Sequence, residues 1–151
     1  MVEARIQRTA GGELRLQLPE EERLLLRGVA ASTRERLRDD DPALRRLFPP
    51  ASDDAELERE YRELTRGQLT AGREQALERL EATVDNAGLS PEEADAWLRA
   101  LNDVRLVLGT ELDVTEDLDW EAVGPEHPRL AELSLYAYVS WIQEQLVEAL
   151  G

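Results

Sequence analysis

The feature that most constrains the fold is one uninterrupted helical pattern, Asp95-Ala-Trp-Leu-Arg-Ala-Leu-Asn-Asp-Val-Arg-Leu-Val-Leu-Gly109. Just upstream, Ser90-Pro-Glu-Glu93 is a start signal. The Ser90 hydroxyl is placed to accept from the Glu93 N–H, the Glu93 carboxylate reaches back to the Ser90 N–H, and Pro91 takes a position where its missing N–H costs nothing. Gly109 is the expected end, because glycine turns left-handed most easily after a last helical turn. Between these marks Ala94, Trp97, Leu98, Leu101, Val104 and Leu108 form one apolar face. Beyond Val104 the helix is apolar nearly all round, which predicts a deeply buried far end.

The remaining segments are arranged around that helix. Residues 1–18 read as a β-hairpin, with Ile6 on one arm, Leu14, Leu16 and Leu18 on the other, and Gly11-Gly12 in the turn. Two strands alone are marginal in water, so the hairpin must rest on a helix or extend a sheet across a dimer. A helix over 19–38 opens with three glutamates and closes with arginines, each at the end of the macrodipole that favours it. Its inward face is Leu26, Val29, Ala30, Thr33 and Leu37, widened by Leu24 and Leu25. Further helices are expected over 53–66 and 69–85, the second ending at Asn86-Ala-Gly88, and a last one over 128–150. That last helix carries a full-length stripe of Leu135, Val139, Ile142, Leu146 and Ala149. A half-length stripe of Leu130, Leu133, Ala137 and Trp141 runs beside it, so the helix should be sandwiched between neighbours. The expected fold is mainly α, a single-domain bundle of about five helices over residues 1–151 with an N-terminal β-hairpin.

Charge limits the functions open to such a bundle. The formal net charge is −15, and all 18 basic residues are arginine, interleaved with 33 acidic ones. A surface this negative repels phosphate backbones and anionic lipid, and no basic stripe offsets it, so direct nucleic-acid or membrane binding is not expected. Without cysteine there is no disulfide, thiolate zinc site or thiol switch. No apolar run reaches the length of a membrane span and no signal-peptide core opens the chain, so the expected location is cytoplasmic.

Candidate chemical motifs each give way to a structural reading. The acids from Asp113 to Glu121 lack the spacing of a calcium loop. His127 has no second imidazole or thiol with which to hold zinc, and it fits better beside Pro128 at a helix start. Gly11-Gly12 lacks the helix and the Lys or Ser/Thr of a phosphate loop. Ser32, Ser134 and Ser140 lie inside helices without a nucleophile elbow. Neither a cofactor, a metal nor an enzymatic activity is expected.

Arg105 is the polar residue that asks for an explanation. It falls among Leu98, Leu101 and Leu108 at the edge of the apolar face, with Asn102 one turn before it. A guanidinium there needs a carboxylate or carbonyls, because an unpaired buried charge is costly. One reading is an internal ion pair to an acidic loop. The other is a polar patch of Asn102, Asp103 and Arg105 that receives a protein partner.

Trp97-Leu-Arg-Ala-Leu-Asn-Asp-Val-Arg-Leu-Val-Leu-Gly-Thr110 resembles the signature of an actinobacterial family first catalogued as a domain of unknown function, whose members are labelled AosR-like oxidative-stress regulators. The order of hairpin, acidic helical middle and hydrophobic last helix fits the same family over almost the whole chain. The resemblance implies a non-enzymatic regulatory or adaptor protein, linked to the transcriptional stress response through protein–protein contact. Its partner would be a component of the transcription machinery, such as a basic surface of a sigma factor. The lack of cysteine departs from that label, since redox sensing in such regulators would ordinarily use a cysteine pair. The alternatives are a small-ligand-binding or enzymatic helical domain and a purely structural homodimer. A homodimer is expected in any case, because the hairpin and the two-sided last helix both ask for further burial; its candidate interface is Leu135, Val139, Ile142 and Leu146, or the hairpin edge.

Overall fold

A computed structural model describes residues 4–39, 71–112 and 124–151. In chain order these hold β1 (Ile6–Arg8), β2 (Leu14–Leu16), α1 (Glu20–Asp39), α2 (71–83), β3 (Gly88–Leu89), α3 (Pro91–Glu111) and α4 (Leu130–Leu150). The fold is mainly α, with four helices and one small antiparallel sheet among the described residues. The helix expected over 53–66 and the acidic stretch 113–123 lie outside them.

The hairpin forms as its sequence dictates. Gly12 takes a left-handed φ of 87°, and the Thr9 N–H closes the turn onto the Glu13 carbonyl at 2.8 Å. Ile6 pairs with Leu16 across the ladder, and Ile6, Leu14, Leu16 and Leu18 all point into the core. The support that two strands need comes from within the chain. β3 pairs antiparallel with the far side of β2, Leu14 opposite Leu89 and Arg15 opposite Gly88. Gly88 permits this approach, since a Cβ there would stand 2.8 Å from the Leu14 carbonyl oxygen. On the outer side of β1, Gln145 Oε1 of α4 accepts from the Arg5 N–H at 2.7 Å and the Ile6 N–H at 3.4 Å.

α3 begins with the expected capping box: the Glu93 N–H donates to Ser90 Oγ at 3.2 Å and the Ser90 N–H to Glu93 Oε1 at 2.9 Å. Its end differs from expectation. The helix runs through a buried Gly109 to Glu111, and Leu112, in a right-handed conformation, closes it by donating to the Leu108 carbonyl. Trp97 is wholly buried. Its indole N–H is satisfied by Thr83 Oγ1 of α2 at 2.7 Å, and the Thr83 hydroxyl donates in turn to the Arg79 carbonyl. α4 starts at Leu130, two residues later than expected, with the Arg129 N–H donating to His127 Nδ1 at 3.1 Å. His127 is therefore a helix-start residue.

One core joins these elements, built on Leu14, Leu26, Leu77, Leu89, Trp97, Leu101, Val104 and Ile142. A half-buried polar cluster ties its edge together. Arg5 pairs with Glu22 of α1 at 3.1 Å and lies 5.6 Å from the Trp141 ring centroid, and the Tyr138 hydroxyl donates to Glu22 at 2.7 Å. Burial, and after it the bond to Glu22, push the Tyr138 phenol above its ordinary range.

Candidate functional site

The interhelical surface with the clearest capacity to bind lies on α1. Leu24, Leu25 and Leu26 follow one another, so they sweep through roughly 200° of a helical wheel and cannot share one buried face. Leu26 takes the core and is fully buried, whereas Leu24 is 56% exposed and Leu25 42% exposed. The expectation that these two widen the inward face is thus corrected: the core side of α1 is filled by Leu26, Ala30, Thr33 and Leu37.

Beside the exposed leucines runs an open groove of about 310 Å³ between α1, α3 and α4. Val29 and Thr33 of α1, Val107 and Leu108 of α3 and Leu135 of α4 line it, and Gly28 and Ser32 leave its α1 wall low. Nothing lies within 4 Å of where a Gly28 Cβ would stand. Exposed glutamates at positions 20, 21 and 35 flank the leucines along α1, and a bidentate Arg36–Glu111 pair at 2.7 and 2.8 Å closes one end. The patch is therefore apolar in the middle and charged around it, as protein-contact surfaces are. Covering both leucines would contribute on the order of 2 kcal/mol. A second recess, about 530 Å³, lies between β1 and the end of α4, but Gln145 on its wall is already committed to the β1 backbone.

The residues singled out in the sequence are distributed differently from that patch. Asn102 and Arg105 are half-buried neighbours, with Arg105 Nη2 donating to Asn102 Oδ1 at 3.2 Å; Gln143 of α4 reaches the same oxygen at 3.5 Å. Among the described residues Arg105 forms no ion pair and its buried Nε has no partner, and the acidic stretch 113–123 that could supply one lies outside them. Asp103 points elsewhere. It is 3% exposed and forms an ion pair with Arg73 of α2. Burial raises its carboxyl to about 6, with the Arg73 guanidinium pulling the other way. The three residues therefore do not form one surface patch.

The apolar stripe of α4 is likewise redirected. Val139, Ile142 and Leu146 are fully buried within one chain against the rest of the core, so they have no surface left to offer a second copy. Leu135 alone remains half-buried, and it lines the α1 groove. Among the described residues no helix is long and apolar enough to cross a membrane.

Comparison with known proteins gives a consistent picture. Residues 3–150 match the model of a domain of unknown function, DUF2017. A Mycobacterium leprae protein named as an oxidative stress regulator, AosR, is 30% identical over 150 residues, covering 87% of this chain and 68% of the relative. Proteins named oxidative stress regulator AosR from Mycobacterium bovis and Mycobacterium tuberculosis are 34% identical over 87 residues, 52% of this chain and 37% of theirs. No solved structure matches the chain.

Proposed function

The chain belongs to the DUF2017 family, and on that premise we propose that it is a non-enzymatic regulatory protein acting through protein–protein contact. The observation that carries this reading is the α1 patch, two exposed leucines over an apolar groove with acid on the surrounding surface. Such a surface offers shape and apolar area to another protein and few polar groups with which to orient a small substrate. The relatives named as oxidative stress regulators support a role in the same response. A transcription component, such as a sigma factor presenting a basic surface, would complement the formal charge of −15. With no cysteine in the chain, the oxidative signal would reach it through that partner, and no thiol of its own would read it.

The test is a photo-crosslinker placed at Ser32 in the full chain, expressed in its source cell. A crosslinked transcription component is expected, and it should disappear when Leu24→Glu is added. Crosslinks to such a component that persist with Leu24→Glu, or that form only from positions remote from α1, would refute the assignment of this surface.

A further inference from the structure

The patch has a property that a one-sided docking groove lacks: its projections and the low wall of its hollow lie on the same helix, on either side of Gly28. Leu24 and Leu25 project before Gly28, whereas Ala31 and Ser32 follow it with small side chains, Ser32 on the groove wall. Positions equidistant from Gly28 are therefore large on one side and small on the other. Resting on the reading of this patch as a protein-contact surface, we propose that in the absence of its partner it is closed by a second copy of the chain, the two α1 helices crossing antiparallel at Gly28.

Symmetry supplies the argument. A two-fold axis at Gly28 sets Leu24 against Ser32 of the other copy and Leu25 against its Ala31, so each bulky residue meets a small one and Leu24 reaches the wall of the opposite groove. The bare Gly28 surface, with nothing within 4 Å of a built Cβ, lets the backbones approach at the crossing. The same axis carries the acidic start of one α1 to the basic end of the other. Glu20 and Arg36 each lie eight residues from Gly28, about 12 Å along the helix, and come together on the flank of the crossing, where Arg36 also holds Glu111 of its own chain. Glu21 and Glu35 fall close to the Gly28 line, about 10 Å on either side of it, so the helices must cross at an angle that splays these like charges apart into water. The α4 stripe cannot serve the same purpose, being already buried within one chain.

Two consequences follow. Each chain carries a formal charge of −15, so the dimer forms against long-range repulsion and should tighten as salt screens it. Dimer and partner also use the same leucines, so the contact surface is open only on the monomer, and self-association regulates partner binding.

The absence of native cysteine makes the crossing directly testable in the full 151-residue chain. Gly28→Cys, under mild oxidation, should give a covalent dimer. Arg99→Cys, on an exposed part of α3 with its side chain 73% accessible, should not. Light scattering on the unmodified chain should show a concentration-dependent dimer that strengthens with salt and is lost in Leu24→Glu/Leu25→Glu, with helical circular dichroism retained. A monomer at every concentration in high salt, equal cross-linking from both cysteine positions, or a dimer that survives the double substitution would overturn the proposal. The partner reading is judged separately: loss of the Ser32 photo-crosslink to the partner in Leu24→Glu upholds it even if no dimer forms, and retention refutes it even if the dimer does.

Discussion

Replacing Asp103 by Asn should alter how stability depends on pH, and the structure fixes both sign and size. Asp103 is 3% exposed and faces the Arg73 guanidinium. Removal from water raises its carboxyl from 3.8 to about 6 in the folded chain, the Arg73 charge offsetting part of the rise. Since the folded value lies above the unfolded one, the contribution of Asp103 to stability is complete below the unfolded value and is lost as pH rises through the folded value. At 1.36 kcal/mol per unit, the ionised group costs about 3 kcal/mol relative to the protonated one. Asn stays neutral throughout and lacks this dependence. The difference in unfolding free energy between Asp103→Asn and the unmodified chain should therefore move in favour of the variant by roughly 2 kcal/mol between pH 4 and pH 7. Urea denaturation of both proteins across that range measures it, and using the difference cancels the titration of the carboxylates they share. A flat difference, or one that moves in favour of the unmodified chain as pH rises, would refute the reasoning. The first result would mean that Asp103 is effectively solvated in the fold; the second, that Arg73 outweighs burial.

Three further expectations follow from the interior and the charge. Trp97→Ala should cost about 3–5 kcal/mol in denaturant unfolding, since it empties a fully buried site and removes the indole N–H that donates to Thr83 Oγ1; a loss below about 1 kcal/mol would contradict the placement of α3. Gly88→Ala should destabilise by about 1–3 kcal/mol and speed amide exchange at Leu16, whose N–H bonds to the Ala87 carbonyl, because the added methyl meets the Leu14 carbonyl at 2.8 Å; unchanged stability and exchange would contradict the β2–β3 register. At physiological salt the chain should give no gel shift with DNA that survives competitor, in keeping with its net charge of −15, and a sequence-specific footprint would count against that expectation.

The described helical framework is largely legible in the sequence. α3 announced itself through Ser90, Pro91 and Glu93, and the hairpin through Gly12 and alternating leucines, because both signals are local. β3 could not be read in this way. It is two residues long, too short to alternate, and it exists because β2 is nearby; Asn86-Ala-Gly88 therefore looked like a plain helix end. Gly109 misleads for a related reason: local preference favours a left-handed stop there, whereas the helix continues past the buried glycine through Thr110 and Glu111. Asp103 was legible in principle. It stands three residues after Ala100 and four before Val107, both fully buried, so the wheel sets it on an inward stripe and not with the half-exposed Asn102. What the wheel does not supply is Arg73, thirty residues away on another helix.

The α1 patch was hardest to read because periodicity assigns a direction to a residue only if one side of its helix is apolar. Three consecutive leucines break that condition: any rotation of α1 that buries Leu26 turns Leu25 toward a flank and Leu24 to nearly the opposite side. A further layer of protein could cover all three, but the neighbours that cover Leu26 leave the other two at 56% and 42% exposure. Exposed leucine by itself is ordinary on a soluble surface. The difference here lies in what accompanies the leucines, namely Gly28, Ala31 and Ser32 on the same helix and a groove floored by residues of α3 and α4. Filling Gly28 separates exposure from function, because Gly28→Leu would find open space around its Cβ and leave the monomer folded. It would prop the two helices apart at their crossing, so helicity should be retained while the dimer is lost. If Gly28→Leu dimerised as well as the unmodified chain, close approach at Gly28 would not be needed, and the two-fold arrangement drawn from it would have to be abandoned.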